Sequence, residues 1–255
     1  MESNNKKTVI EVKDLTIGYK DFVLLEKLNF SIKEGEIFII LGGSGCGKST
    51  ILKHLIGLFK PHSGNILINN KSIVNCSEDE KDKMFQDFGV LYQSAALFSS
   101  MTLAENVAVP LKEFTGLSDK VIEGITKMKL SLVGLTGFEN FSPSEISGGM
   151  KKRAGLARAM ALDPKILFFD EPSAGLDPIS SAELDCLLLE LRSSLGCTMV
   201  IVTHELDSIF TIADKVIILD KNTKGIIEEG DPRLLKKNSK NKWVREFLDR
   251  SNMRG

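Results

Sequence analysis

The sequence predicts an α/β fold, with a parallel sheet core, an antiparallel β flank and an inserted helical lobe. Short apolar runs at residues 36–41, 166–169, 198–202 and 215–219 read as buried strands. Helical stretches separate the last three, as a parallel sheet requires. A glycine-rich turn follows the first run and opens a helix, so the chain has strand, loop and helix in sequence.

In chain order, residues 9–12 and 28–32 alternate in strand fashion, and residues 65–69 read as a third short strand; these predict the antiparallel flank. Residues 48–58 carry a helix that stops before Pro61. Residues 95–160 are mostly helical and form the inserted lobe, with breaks expected at Pro110, Gly116, Gly134, Gly137 and Pro143. Helices near residues 180–194 and 206–213 link the later strands. In the tail, residues 232–255, Trp243 and Phe247 fall on one helical face among Lys236, Lys237, Lys240, Lys242 and Arg245, which predicts packing or a subunit contact. Residues 1–255 are expected to form one domain.

With 255 residues and 42% hydrophobic composition, the chain can bury a substantial core. Its 33 basic and 34 acidic residues leave a net charge of -1, which argues against nucleic acid as a partner. Lys151, Lys152 and Arg153 read as a charged helix face. Cys46, Cys76, Cys186 and Cys197 are scattered, as expected in a reducing compartment. The N-terminus lacks a signal-peptide apolar stretch and no apolar run is long enough to span a bilayer, so a partner is expected to bring the chain to any membrane it serves.

Gly42, Gly43, Ser44, Gly45, Cys46, Gly47, Lys48, Ser49 and Thr50 fit the phosphate-loop pattern G-x-x-x-x-G-K-[ST], between a buried strand and a helix. Backbone N–H groups freed by the glycines can wrap phosphates, Lys48 can neutralise the β and γ phosphates, and the Ser49 hydroxyl can join a Mg²⁺ shell. Residues 166–169 deliver Asp170 and Glu171 to the C-terminal edge of the sheet, where open α/β sheets bind ligands. Beside a phosphate loop, Asp170 is the expected Mg²⁺ partner and Glu171 the general base; alternation along a strand would send the two side chains in different directions. His204 follows another buried strand and is either structural or holds nucleotide and water in register. Ser147, Gly148 and Gly149 open a helix with Ser147 at the N-cap, which reads either as an anion site or as an ordinary loop before a helix.

In this order, the motifs resemble the ATP-binding subunit of ATP-binding cassette (ABC) transporters over nearly the whole length. The resemblance implies a P-loop ABC nucleotide-binding domain working as a homodimer, with ATP and Mg²⁺ sandwiched between the phosphate loop of one subunit and Ser147, Gly148 and Gly149, the signature motif, of the other. It implies that Tyr19 stacks on adenine, although alone Tyr19 reads equally as a packing residue. It implies that Gln93, otherwise a solvated loop amide, joins the sheet core to the helical lobe and takes part in catalysis and Mg²⁺ binding. Residues 173–177 resemble the D-loop that crosses the dimer interface, and His204 resembles the switch histidine.

A narrower resemblance rests on residues 92–102 with Glu105, Asn106 and Val107, on residues 150–159, and on residues 169–177. These look like the Mla-type ATPases of MCE lipid transport systems, and Met150 stands where many other importers carry Gln. The implied function is ATP-driven phospholipid movement between inner and outer membranes, at the cytoplasmic face of the inner membrane, through an integral permease and a periplasmic MCE lipid-binding protein. The sequence leaves open whether a small regulatory subunit joins them. An importer of a small polar solute would share every catalytic residue, and a soluble ABC protein is the third reading. Gly43 replaces a proline found in many relatives and Cys46 occupies a small-residue position; both leave their backbone N–H groups available to phosphate. Small-residue packing is the favoured role for Cys46 over redox inhibition.

Overall fold

The computed structural model of the chain describes residues 6–249; residues 1–5 and the end of the expected tail, 250–255, lie outside the described residues. Thr8–Tyr19 (β1) and Phe22–Lys33 (β2) pair antiparallel. Both are longer than their alternating segments, because register shifts such as that between Val12 and Leu15 interrupt the two-residue period. Ile37–Gly42 (β3) is buried at every position and enters a second sheet; Lys48–Leu55 (α1) follows it. Ser63–Ile68 (β4) and Lys71–Ser72 (β5) complete the first sheet, in the order β2-β1-β4-β5.

Glu78–Phe85 (α2) leads into Phe88–Leu91 (β6), and neither is foreshadowed by hydrophobic periodicity. Met84 is the only buried side chain of α2, which is defined instead by a capping box between Ser77 and Glu80. The four residues of β6 are too few for a clear pattern. A Cβ on Gly89 would lie 2.7 Å from the Ala159 carbonyl carbon, so the missing side chain lets a helix of the lobe lie directly on this strand.

That lobe contains Leu103–Phe114 (α3), Asp119–Leu132 (α4), a short 3₁₀ turn at Pro143–Glu145, and Gly148–Ala159 (α5). The breaks at Gly116, Gly134 and Gly137 fall between its elements, and Pro143 opens the 3₁₀ turn. Pro110 is a correction, because α3 continues through it. Leu103, Val107 and Leu111 bury one apolar face of α3, and this packing outweighs the lost hydrogen bond.

Ile166–Asp170 (β7), Pro178–Leu195 (α6), Thr198–Val202 (β8), Leu206–Ile212 (α7) and Lys215–Asp220 (β9) return the chain to the second sheet. Gly225–Gly230 (β10) adds an antiparallel edge, giving the order β10-β9-β3-β8-β7-β6 with its other neighbours parallel. Pro232–Asn238 (α8) and Lys242–Asp249 (α9) end the described chain. Trp243 and Phe247 stack with centroids 5.0 Å apart, whereas Val244 and Leu248 are the fully buried side chains of α9.

The second sheet separates two apolar cores. Ile37, Ile39 and Leu41 of β3 face the core shared with the helical lobe and α6, while Phe38 and Ile40 face the core shared with α1 and the first sheet. This two-residue alternation puts α1 and α5 on opposite faces of one sheet.

Candidate functional site

The turn from β3 into α1 is shaped by what packs beneath it. Gly42 has a φ of 153°, and a Cβ there would run into Cys46 Sγ and lie 2.7 Å from the Leu219 carbonyl oxygen, so only glycine fits. Gly43 and Gly45 face open space. No side chain caps α1 at Gly47, which leaves the helix start suited to an anion. Lys48 Nζ donates to the carbonyls of Gly42 and Gly43 at 3.0 and 3.2 Å, so its ammonium lies against the loop. Ser44 is exposed, while Cys46 is buried and its thiol pKa is pushed up by desolvation. The thiol therefore serves packing, as expected. The Tyr19 hydroxyl is 2.7 Å from Thr50 Oγ1 and its ring meets Phe59 edge-on, leaving the side chain half exposed beside the loop.

Ser49 Oγ donates to Asp170 Oδ1 at 2.8 Å, which joins the start of α1 to the end of β7. Glu171 lies beyond the strand with a φ of 49°, so it diverges from Asp170 by a left-handed turn and not by strand alternation, correcting the expectation. Its N–H donates to the Val202 carbonyl at 2.8 Å, a bond that carries β7–β8 pairing one residue further. His204 Nδ1 lies 2.9 Å from both Glu171 carboxylate oxygens. Gln93, exposed, follows β6, whose Leu91 pairs with Phe169. The ends of β3, β6, β7 and β8 thus gather Lys48, Ser49, Gln93, Asp170, Glu171 and His204 along one sheet edge. Ser49 and Asp170 offer hard oxygen donors in contact, a set that fits Mg²⁺.

Ser147 is the N-cap of α5, with Oγ accepting from the Met150 N–H at 3.2 Å, as its position predicts. Gly148 and Gly149 lie beside Leu176 and Ser180, by a cavity of about 240 Å³ that Arg153 and Glu183 also line. They are outside the cluster just described. Asp177 caps α6 through the N–H groups of Ile179 and Ser180, and its pKa is lowered first by the bond from the Ser180 hydroxyl and then by these backbone bonds. The sequence Asp-Pro-x-Ser carries that cap signal.

The charged-face reading of residues 151–153 fails at Lys152, which is buried. Its Nζ donates to the Gln93 carbonyl and, at 3.3 Å, to the Glu171 carbonyl. Desolvation lowers its pKa, while the charges of Glu171, Glu205 and Asp170 oppose that shift. Further along α5, Arg158 donates to the carbonyls of Ala96 and Ala95 at 2.7 and 2.8 Å. Asn106, fully buried, accepts from the Phe98 N–H and donates to the carbonyls of Phe98, Met101 and Thr102. Side chains of the lobe therefore hold the segment after Gln93 at Ala95, Ala96, Phe98, Met101 and Thr102. A Lys-Lys-Arg run gives no sign of such burial; a lone Asn inside the apolar stripe of α3 is the signal that could have drawn attention to Asn106.

A family model described as ABC transporter matches residues 25–174. The chain is 44% identical over 240 residues to the probable ribonucleotide transport ATP-binding protein mkl of Mycobacterium leprae, covering 94% of this chain and 68% of that protein. It is 41% identical over 240 residues to the intermembrane phospholipid transport system ATP-binding protein MlaF of Haemophilus influenzae, covering 94% and 90%. Among solved structures, the fold is similar to cbiO1 from Clostridium perfringens, with a TM-score of 0.84 at 30% identity over 98% of this chain and 96% of that one. A dimeric post-hydrolysis structure of the ATP-binding cassette MJ0796 with ADP and Pi gives 0.79 at 31% identity over 87% and 98%.

Proposed function

Because the chain belongs to the ABC transporter family and is an ABC-type ATPase, we propose that it is the ATP-hydrolysing subunit that energises phospholipid transport between inner and outer membranes. The observation that carries the cargo assignment is similarity to MlaF over 94% of this chain and 90% of that protein. The site supports the hydrolytic role. Lys48 is placed to leave its carbonyl partners for the β and γ phosphates, with the loop residues 42–50 supplying backbone donors. Ser49 and Asp170, with Gln93, would hold Mg²⁺, which supplies charge neutralisation on the phosphate oxygens. Glu171 accepts the proton of the attacking water, and His204 orients its carboxylate through Nδ1. Tyr19 borders the adenine position.

In this reading each site is completed by Ser147, Gly148 and Gly149 of a second copy, a pairing supported by the dimeric structures of the similar cassette MJ0796. Among the described residues no helix is long and apolar enough to cross a membrane. The proposed assembly pairs the ATPase homodimer with an integral permease at the cytoplasmic face of the inner membrane and with a periplasmic MCE protein. The test is to isolate the native complex, measure its ATP turnover, and identify its proteins and bound cargo. Co-purified phospholipid and an MCE protein are expected. Ribonucleotide bound beyond the ATP and ADP of the two cassette sites, with no phospholipid, would instead establish the second reading, favoured by the 44% identity to mkl; an amino-acid-binding protein in the complex would overturn the lipid assignment.

A further inference from the structure

Lys152 is 5% exposed, and a lysine is rarely buried without a carboxylate partner. Its ammonium donates to two main-chain carbonyls on separate segments, those of Gln93 and Glu171. Each is a point where the backbone leaves the sheet: Gln93 lies two residues past β6, and Glu171 directly follows β7. Glu171 adopts a left-handed backbone conformation, uncommon for a residue with a side chain. Its N–H is held by Val202 and its carboxylate by His204, while its carbonyl is held by Lys152.

We propose that Lys152 is a positioning residue for hydrolysis: a buried ammonium that ties the start of the Gln93 segment to the Glu171 turn and so sets the direction of the Glu171 carboxylate. The bond also gives the helical lobe a direct hold on that turn. A shift of α5 relative to the sheet changes the Lys152 bonds first, because the amine sits on α5 and both acceptors sit on the sheet edge. This inference rests on the reading of Glu171 as the general base.

The test compares K152M, which keeps the length without donors, with K152Q, which keeps a donor without the charge, in the full-length chain within its native complex. K152M is expected to lose about tenfold or more in kcat, since a charged hydrogen bond is lost, with KM for ATP within about twofold of wild type. K152Q is expected to recover most of that loss. Equal kcat in K152M and wild type overturns the inference, as does equal impairment of K152M and K152Q with KM rising in step. Should K152M fail to fold, K152A is assayed with added propylamine; restored turnover supports the inference, and turnover unmoved by the amine overturns it. E171Q is measured in parallel. Normal turnover in E171Q rejects the base assignment itself, so the two failures are told apart.

Discussion

Glu171 combines a strained backbone with a carboxylate that is mostly buried yet bonded on both oxygens to a single imidazole nitrogen. Such a conformation costs on the order of 1–3 kcal/mol. Glu171→Gln keeps the side-chain length and a hydrogen-bond partner for His204. It should bind ATP with near wild-type affinity while turnover falls about a hundredfold or more, read by nucleotide binding and phosphate release on one preparation. Undiminished phosphate release would remove Glu171 from the reaction. Lys48, Ser49 and Asp170 were legible in the sequence because each stands at a fixed offset from a strand end or helix start. Lys152 was not, because its burial depends on two distant carbonyls that only the folded sheet edge brings above α5.

At the scale of elements, the apolar strands β3, β7, β8 and β9 were readable from sequence, since a strand buried on both faces needs a continuous apolar run. The edge strands β6 and β10 carry weaker patterns: β10 has no fully buried position. The junction of α6 and α7 adds an electrostatic strain. Asp185 on α6 is buried, and burial pushes its pKa up to about 6, with Glu205 and Asp207 adding to the rise and a Ser208 hydrogen bond opposing it. Its native pKa exceeds the value of 3.8 for a free side chain, so the folded state holds the proton more tightly. Stability from this group is full below about pH 4 and is lost as pH rises through about 6, a loss of up to about 3 kcal/mol. Asp185→Asn removes that loss. Its melting temperature should exceed wild type by several degrees at pH 8, by about half as much at pH 5 and by little below pH 4; a pH-independent difference would contradict the assignment.

For the whole molecule, one sheet carries α1 on one core and the helix of Ser147 on the other. If each nucleotide is held by the loop of one copy and residues 147–149 of its partner, two different inactive chains can repair each other. Lys48→Ala spoils the loop and Gly148→Asp spoils the partner surface, yet a mixed pair retains one intact composite site. Equal amounts of the two, allowed to exchange subunits, should recover about one quarter of wild-type turnover if sites act independently. No recovery despite demonstrated exchange would mean that each chain completes its own site.

The Cys46 thiol, wedged beneath Gly42 at 1% exposure, also makes the molecule its own clock. An alkylating reagent can reach that sulfur only while the loop is lifted, whereas Cys186 on the surface of α6 is open throughout. Iodoacetamide should therefore label Cys46 much more slowly than Cys186, and more slowly again with ATP present, so the ratio of the two rates times the breathing of the loop. Labelling of both at one rate would show that the sulfur is not sealed by the loop.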